Sequence, residues 1–98
     1  MIDGKWELTS MTPLGKKTST LEVKVVDGKV VGTRTDGYGT KDIEDAVLNG
    51  NELTYGFVST STMGENNANA TLTFDGDKVT GKAKVKFGTF NIEGYRVT

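Results

Sequence analysis

Slid along itself by 49 positions, half its length, this chain of 98 residues matches itself without a gap. Gly15 meets Gly64, Lys29-Val30 meets Lys78-Val79, and Gly32 meets Gly81. Gly39-Thr40 meets Gly88-Thr89, Ile43-Glu44 meets Ile92-Glu93, and Ser10 meets Ser59. These are nine identities in 49 pairs, against about three from ordinary residue frequencies. Trp6/Tyr55, Leu8/Phe57, Leu14/Met63, Val23/Leu72, Val25/Phe74 and Tyr38/Phe87 are conservative matches besides. The chain therefore reads as one domain, residues 1–98, built from two like units, 1–49 and 50–98.

The units are made of strands. Thr, Val and Gly recur where a helical protein would run to Ala, Leu and Glu, and apolar residues alternate with polar ones between Gly, Asp and Asn punctuation, which is the period-two pattern of half-buried strands. The first strand spans about Lys5 to Met11, with Trp6, Leu8 and Ser10 on one face. Thr12-Pro13-Leu14-Gly15-Lys16-Lys17 is a turn. The second strand, Thr18 to Val26, turns Leu21, Val23 and Val25 inward, and Asp27-Gly28 forms a type I′ hairpin. The third runs from Lys29 to Thr35, the fourth from Thr40 to Leu48, and Asn49-Gly50-Asn51 turns into the fifth, Glu52 to Ser61. Met63 to Asn67 mirrors the Pro13–Gly15 turn. The sixth strand carries Ala70, Leu72 and Phe74, and the seventh follows Asp75-Gly76-Asp77. The last, Thr89 to Val97, alternates too poorly to assign its faces. Eight strands in sequential hairpins predict an all-β, antiparallel, up-and-down barrel, since closure removes exposed edges.

Val30 and Val31 leave the third strand's inner face ambiguous, and the repeat resolves it. In the seventh strand Val79, Gly81, Ala83, Val85 and Phe87 alternate with lysines and threonine. Carried back 49 positions, that parity puts Val30, Gly32, Arg34, Asp36 and Tyr38 inside. Where one half has Ala83 and Val85, the other has Arg34 and Asp36.

Gly4-Lys5-Trp6, followed by Asp27-Gly28-Lys29-Val30-Val31-Gly32-Thr33, resembles the calycin-type barrels: lipocalins, avidins and small barrel inhibitors of bacterial metalloproteases. The Gly-x-Trp and the hairpin after it look most like the avidin pattern, and the duplicated layout with Thr12-Pro13-Leu14-Gly15 resembles small bacterial barrel domains. The resemblance implies that Trp6 packs across the closed end of the barrel. Trp6 is the sole tryptophan, so the ligand-stacking tryptophans of the avidins have no counterpart, which weighs against biotin.

Function is bounded mainly by exclusion. The chain has neither Cys nor His, so thiol nucleophiles, imidazole bases and the usual zinc ligands are out; no metal or cofactor is expected. A net charge of −1 gives no electrostatic case for nucleic acid or an anionic membrane. Lys78, Lys82, Lys84 and Lys86 form a solvated outer face without interleaved aromatics, and Asp42, Glu44 and Asp45 match no cation loop. The opening residues hold no apolar signal region, so a cytoplasmic location is expected, although a trimmed secreted domain would read the same. If Trp6, Leu8, Tyr55 and Phe57 plug one end, the polar groups gather toward the other. The ligand-binding set read from this pattern is Arg34, Asp36, Tyr38, Ser10, Ser59 and Tyr55, fitting a non-enzymatic barrel for a small hydrophobic or mixed-polarity ligand. The bland alternative is an Arg34–Asp36 ion pair at the mouth. Two other functions stay open: a protein-interaction or accessory barrel, such as an inhibitor or small subunit, and a cofactor-free enzyme with Asp36 or Glu44 as base and Arg34 as electrostatic stabiliser. The turn tips at Leu14 and Met63 fit docking to another subunit, and a homodimer is one assembly they allow.

Overall fold

The computed structural model describes residues 2–12, 15–61, 64–86 and 88–98, without the side chains of residues 59–61. Leu14, Met63 and Phe87 thus lie outside the described residues. The chain forms nine strands among those residues: β1 (Gly4–Thr12), β2 (Gly15–Val26), β3 (Lys29–Asp36), β4 (Gly39–Asp42), β5 (Glu44–Asn49), β6 (Glu52–Ser61), β7 (Gly64–Asp75), β8 (Lys78–Val85) and β9 (Gly88–Arg96). They make one sheet in the order β4-β3-β2-β1-β9-β8-β7-β6-β5, all neighbours antiparallel. The outermost strands, β4 and β5, follow each other in sequence through Ile43, whose N–H donates to the Gly32 carbonyl at 3.0 Å. The sheet therefore curls round on itself into a nearly closed up-and-down barrel.

Nine strands replace the expected eight because the segment Thr40–Leu48 is two strands. β4 pairs with β3 and β5 pairs with β6. In β5 the register passes from Glu44↔Gly56 to Val47↔Thr54, so Asp45 and Ala46 together stand opposite Tyr55. Such a bulge bends its strand. Asp45 sits at φ 51, a left-handed conformation that Asp tolerates better than most residues. β2 and β7 also begin earlier than expected, at Gly15 and Gly64, which pair with Thr12 and Ser61. The Asp27-Gly28 hairpin agrees with its type I′ reading, with φ 52 and 79 at its two central residues.

The inner face follows the expected parity through β1, β2, β6, β7 and β8, burying Trp6, Leu8, Leu21, Val23, Leu53, Tyr55, Phe57, Leu72, Phe74 and Val79. Its alternation in β9 escapes detection because two of the inward positions are Gly94 and Arg96, both half-buried, on either side of exposed Tyr95. Ser19 is the one buried polar residue among the described side chains; carrying the parity of Leu21 and Val23 back two residues finds it.

One end of the barrel is sealed as the sequence implies. Trp6 is fully buried, meets Phe74 edge-on at 4.7 Å between ring centroids, and donates from Nε1 to the Ile2 carbonyl at 2.9 Å. Arg96 lies over the Trp6 ring, 4.4 Å from its centroid, and is held by Asp77 through its backbone N–H at 2.8 Å and its Nε at 3.0 Å. Its Nη1 donates to the Asp3 carbonyl. Asp3 in turn accepts the Val25 N–H on Oδ2 at 2.9 Å. The Arg96 cation, stacked on the ring and paired with Asp77, caps the core, while Asp3 Oδ1 is buried without a hydrogen-bond partner among the described residues.

Candidate functional site

At the opposite end the wall is polar on one side. Arg34 and Asp36 stand two apart on β3, so both project inward, and Arg34 Nη1 donates to Asp36 Oδ2 at 2.7 Å. Both side chains are mostly shielded, at 18% and 17% exposure. The Arg34 guanidinium also covers the Phe57 ring at 4.7 Å, so its cation rests on the top of the apolar core. Asp36 uses its other oxygen, Oδ1, to accept the Tyr38 N–H at 2.8 Å, a side-chain turn that ends β3. Both carboxylate oxygens are thus engaged within the structure. In the other half the matching positions are Ala83, buried, and Val85, half-buried.

The six expected site residues are only partly brought together. Arg34 and Asp36 touch, and Tyr55 lies within electrostatic reach of Arg34. Tyr55 itself belongs to the core; burial pushes its phenol well above the ordinary range, and the Arg34 charge opposes that shift. Tyr38 departs from the expected inner face. It follows the end of β3, in the turn to β4, and is 55% exposed, because Asp36 ends the strand before the parity reaches it. Ser10 is half-buried on β1, opposite Lys17 and Ile92. The side chain of Ser59 lies outside the described set. Glu44, the other carboxylate considered as a base, is exposed on β5.

The mouth has little room. Between Arg34, Asp36, Tyr38, Lys41, Phe57 and their neighbours the free volume is about 10 Å³, around the minimum for one water, whereas sites for drug-sized ligands run to ~300 Å³ and above. A larger space of about 410 Å³ lies at the seam of the barrel, lined by Val30, Val31, Gly32, Thr33, Asp42, Ile43, Asp45 and Ala46. Alternation along a strand does not reveal it, because it lies between β3 and β5, which do not pair. It arises where the chain leaves β3 at Ile43 and moves across to β6, so β3 keeps only β2 as partner along Lys29–Val31 and β5 keeps only β6.

No known protein family, curated protein or solved structure matches this chain.

Proposed function

We propose that this barrel is a non-catalytic protein-interaction or accessory domain whose partner docks along the seam. The observation that carries the reading is the open seam: about 410 Å³ lies between its walls, against about 10 Å³ between Arg34 and Phe57 inside the mouth, while a shallow space of about 300 Å³ borders Asp36 and Gly37 at the rim. A barrel filled by its own side chains recognises through its surface. The exposed apolar side chains Val31 and Val47, 51% and 61% exposed, stand on the two strands flanking that groove. The test is photo-crosslinking in extracts of the source cells, with a photoreactive residue at Val31 or Val47 and, as control, at exposed Thr73 on β7. One discrete adduct from the seam positions alone is expected. Identical patterns from all three positions would remove the reading.

A second reading rests on the Arg34–Asp36 pair. These two residues are polar where the other half is apolar, and Tyr38 stands exposed at their rim, so a small ligand with an anionic group could open the pair and bind Arg34. Chemical-shift changes confined to Arg34, Asp36 and Tyr38 on titrating a fragment library would favour it. We also infer a calycin-like barrel of duplicated origin. Trp6 seals the closed end as that resemblance implies, and shifting β2 and β3 by 49 residues reproduces the limits of β7 and β8.

A further inference from the structure

Resting on the interaction reading above, we propose that the seam accepts an extended segment of a partner protein as an added strand, and that this segment alternates apolar and basic residues. The first support is the unpaired backbone. Gly32 turns its carbonyl to the seam, where it receives the Ile43 N–H. By the period of two, Val30 turns its N–H and C=O the same way, and beyond Ile43 no strand pairs with it on that side among the described residues. On the facing wall Asn49 pairs with Glu52 to close a two-residue hairpin, so Leu48 points its backbone groups away from β6, toward the seam. Strand addition supplies such groups with partners, and side-chain pockets then choose the sequence.

The second support is the chemistry of the walls. Val30, Ile43 and Ala46 make an apolar floor. Asp42, Glu44 and Asp45 stand exposed along the β4–β5 rim, and none of the three forms an ion pair among the described residues. The nearest cations on the other bank, Lys24 and Lys29, lie on the outer face and at the start of β3. A strand with apolar residues on one side and Lys or Arg on the other meets both features. In a second copy the strand that alternates apolar residues with lysine, β8, is already paired on both edges, with β7 and β9, so it is not free to enter the seam.

The test uses the isotopically labelled full chain and three synthetic octapeptides: alternating Val and Lys, alternating Val and Glu, and the Val/Lys peptide N-methylated at alternate residues. The Val/Lys peptide should shift the amides of Val30, Val31, Gly32 and Leu48, and the other two should not. Combining Asp42→Asn, Glu44→Gln and Asp45→Asn should weaken binding about tenfold. Shifts spread over the whole acidic surface, or equal binding of the N-methylated peptide, would reduce the effect to charge and overturn the proposal. So would self-association through β5 with no response to any peptide. A seam adduct from the crosslinking experiment together with silent peptides would leave the interaction reading standing and sink the strand.

Discussion

β9 and the β4–β5 segment occupy matching places in the two halves, yet one is continuous and the other is broken. β9 stays paired with β8 along its whole length and with β1 on its other side. It lies that close because position 94 is glycine: a Cβ there would stand 2.2 Å from the Glu7 carbonyl oxygen and 2.9 Å from Leu8 Cδ2. The residue in the same place under the 49-residue shift is Asp45. It carries the Cβ that the tight arrangement forbids, and the chain answers with a bulge and a positive φ. The bulge at Asp45 and Ala46 and the change of partner at Ile43 fall together, and the seam lies beside them.

The largest test of that comparison is to make the closed half resemble the open one. Gly94→Asp should cost about 3 kcal/mol or more, by overpacking β1 and placing a charge against the core. Urea denaturation measures the loss, and hydrogen exchange should show β9 parting first. Where the halves agree, matched changes should cost the same. At Gly32 a Cβ would come within 2.2 Å of the Glu22 carbonyl oxygen, and at Gly81 within 2.0 Å of that of Thr71. Gly32→Ala and Gly81→Ala should therefore each cost about 2 kcal/mol, and a wide gap between them would break the symmetry argument.

Trp6 and Tyr55 also match under the shift, but only Tyr55 can titrate. Burial holds its phenol neutral to higher pH in the folded state, so the unfolded chain loses its proton first. Stability should be flat below about pH 10 and fall above it, by up to about 1.4 kcal/mol per pH unit. Tyr55→Phe should remove that alkaline limb in thermal melts. The reciprocal of the first test is Asp45→Gly, expected to stabilise by about 1 kcal/mol because glycine takes the left-handed backbone there without strain, with the amide exchange of Glu44 to Leu48 unchanged. Smallest is the conversion of the polar mouth. Asp36→Val alone leaves Arg34 unpaired and should cost about 1 kcal/mol, whereas Arg34→Ala with Asp36→Val, the residues of the other half, should return close to wild type.

Much of the wall is legible in the sequence. Alternation gave the inner faces of β1, β2, β6, β7 and β8, and the repeat fixed the inner face of β3 where Val30 and Val31 left it open. Failures came where the deciding contact is distant in sequence. Nothing local in Thr40–Leu48 announces a break, because alternation does not say which neighbouring strand each half of the segment pairs with. β9 hides its face behind Gly94, whose lack of a side chain is a response to Glu7. Tyr38 was misplaced by extending a sound parity past the carboxylate that ends the strand. Arg34 and Asp36 were placed correctly on the inner face, but their hydrogen bond and the tightness around them follow from packing that spacing does not encode.

The Trp6–Arg96 clasp also fixes how the barrel meets a mechanical load. It sits where the two chain ends run side by side, with Lys5 accepting from Val97 at 2.7 Å and donating to Thr98 at 3.1 Å. Because β1 and β9 are antiparallel, tension applied through both ends bears on one rung at a time, starting at that corner. A barrel pulled by its ends therefore unzips from Arg96 inward, while one held by its hairpins shares the force across whole strands.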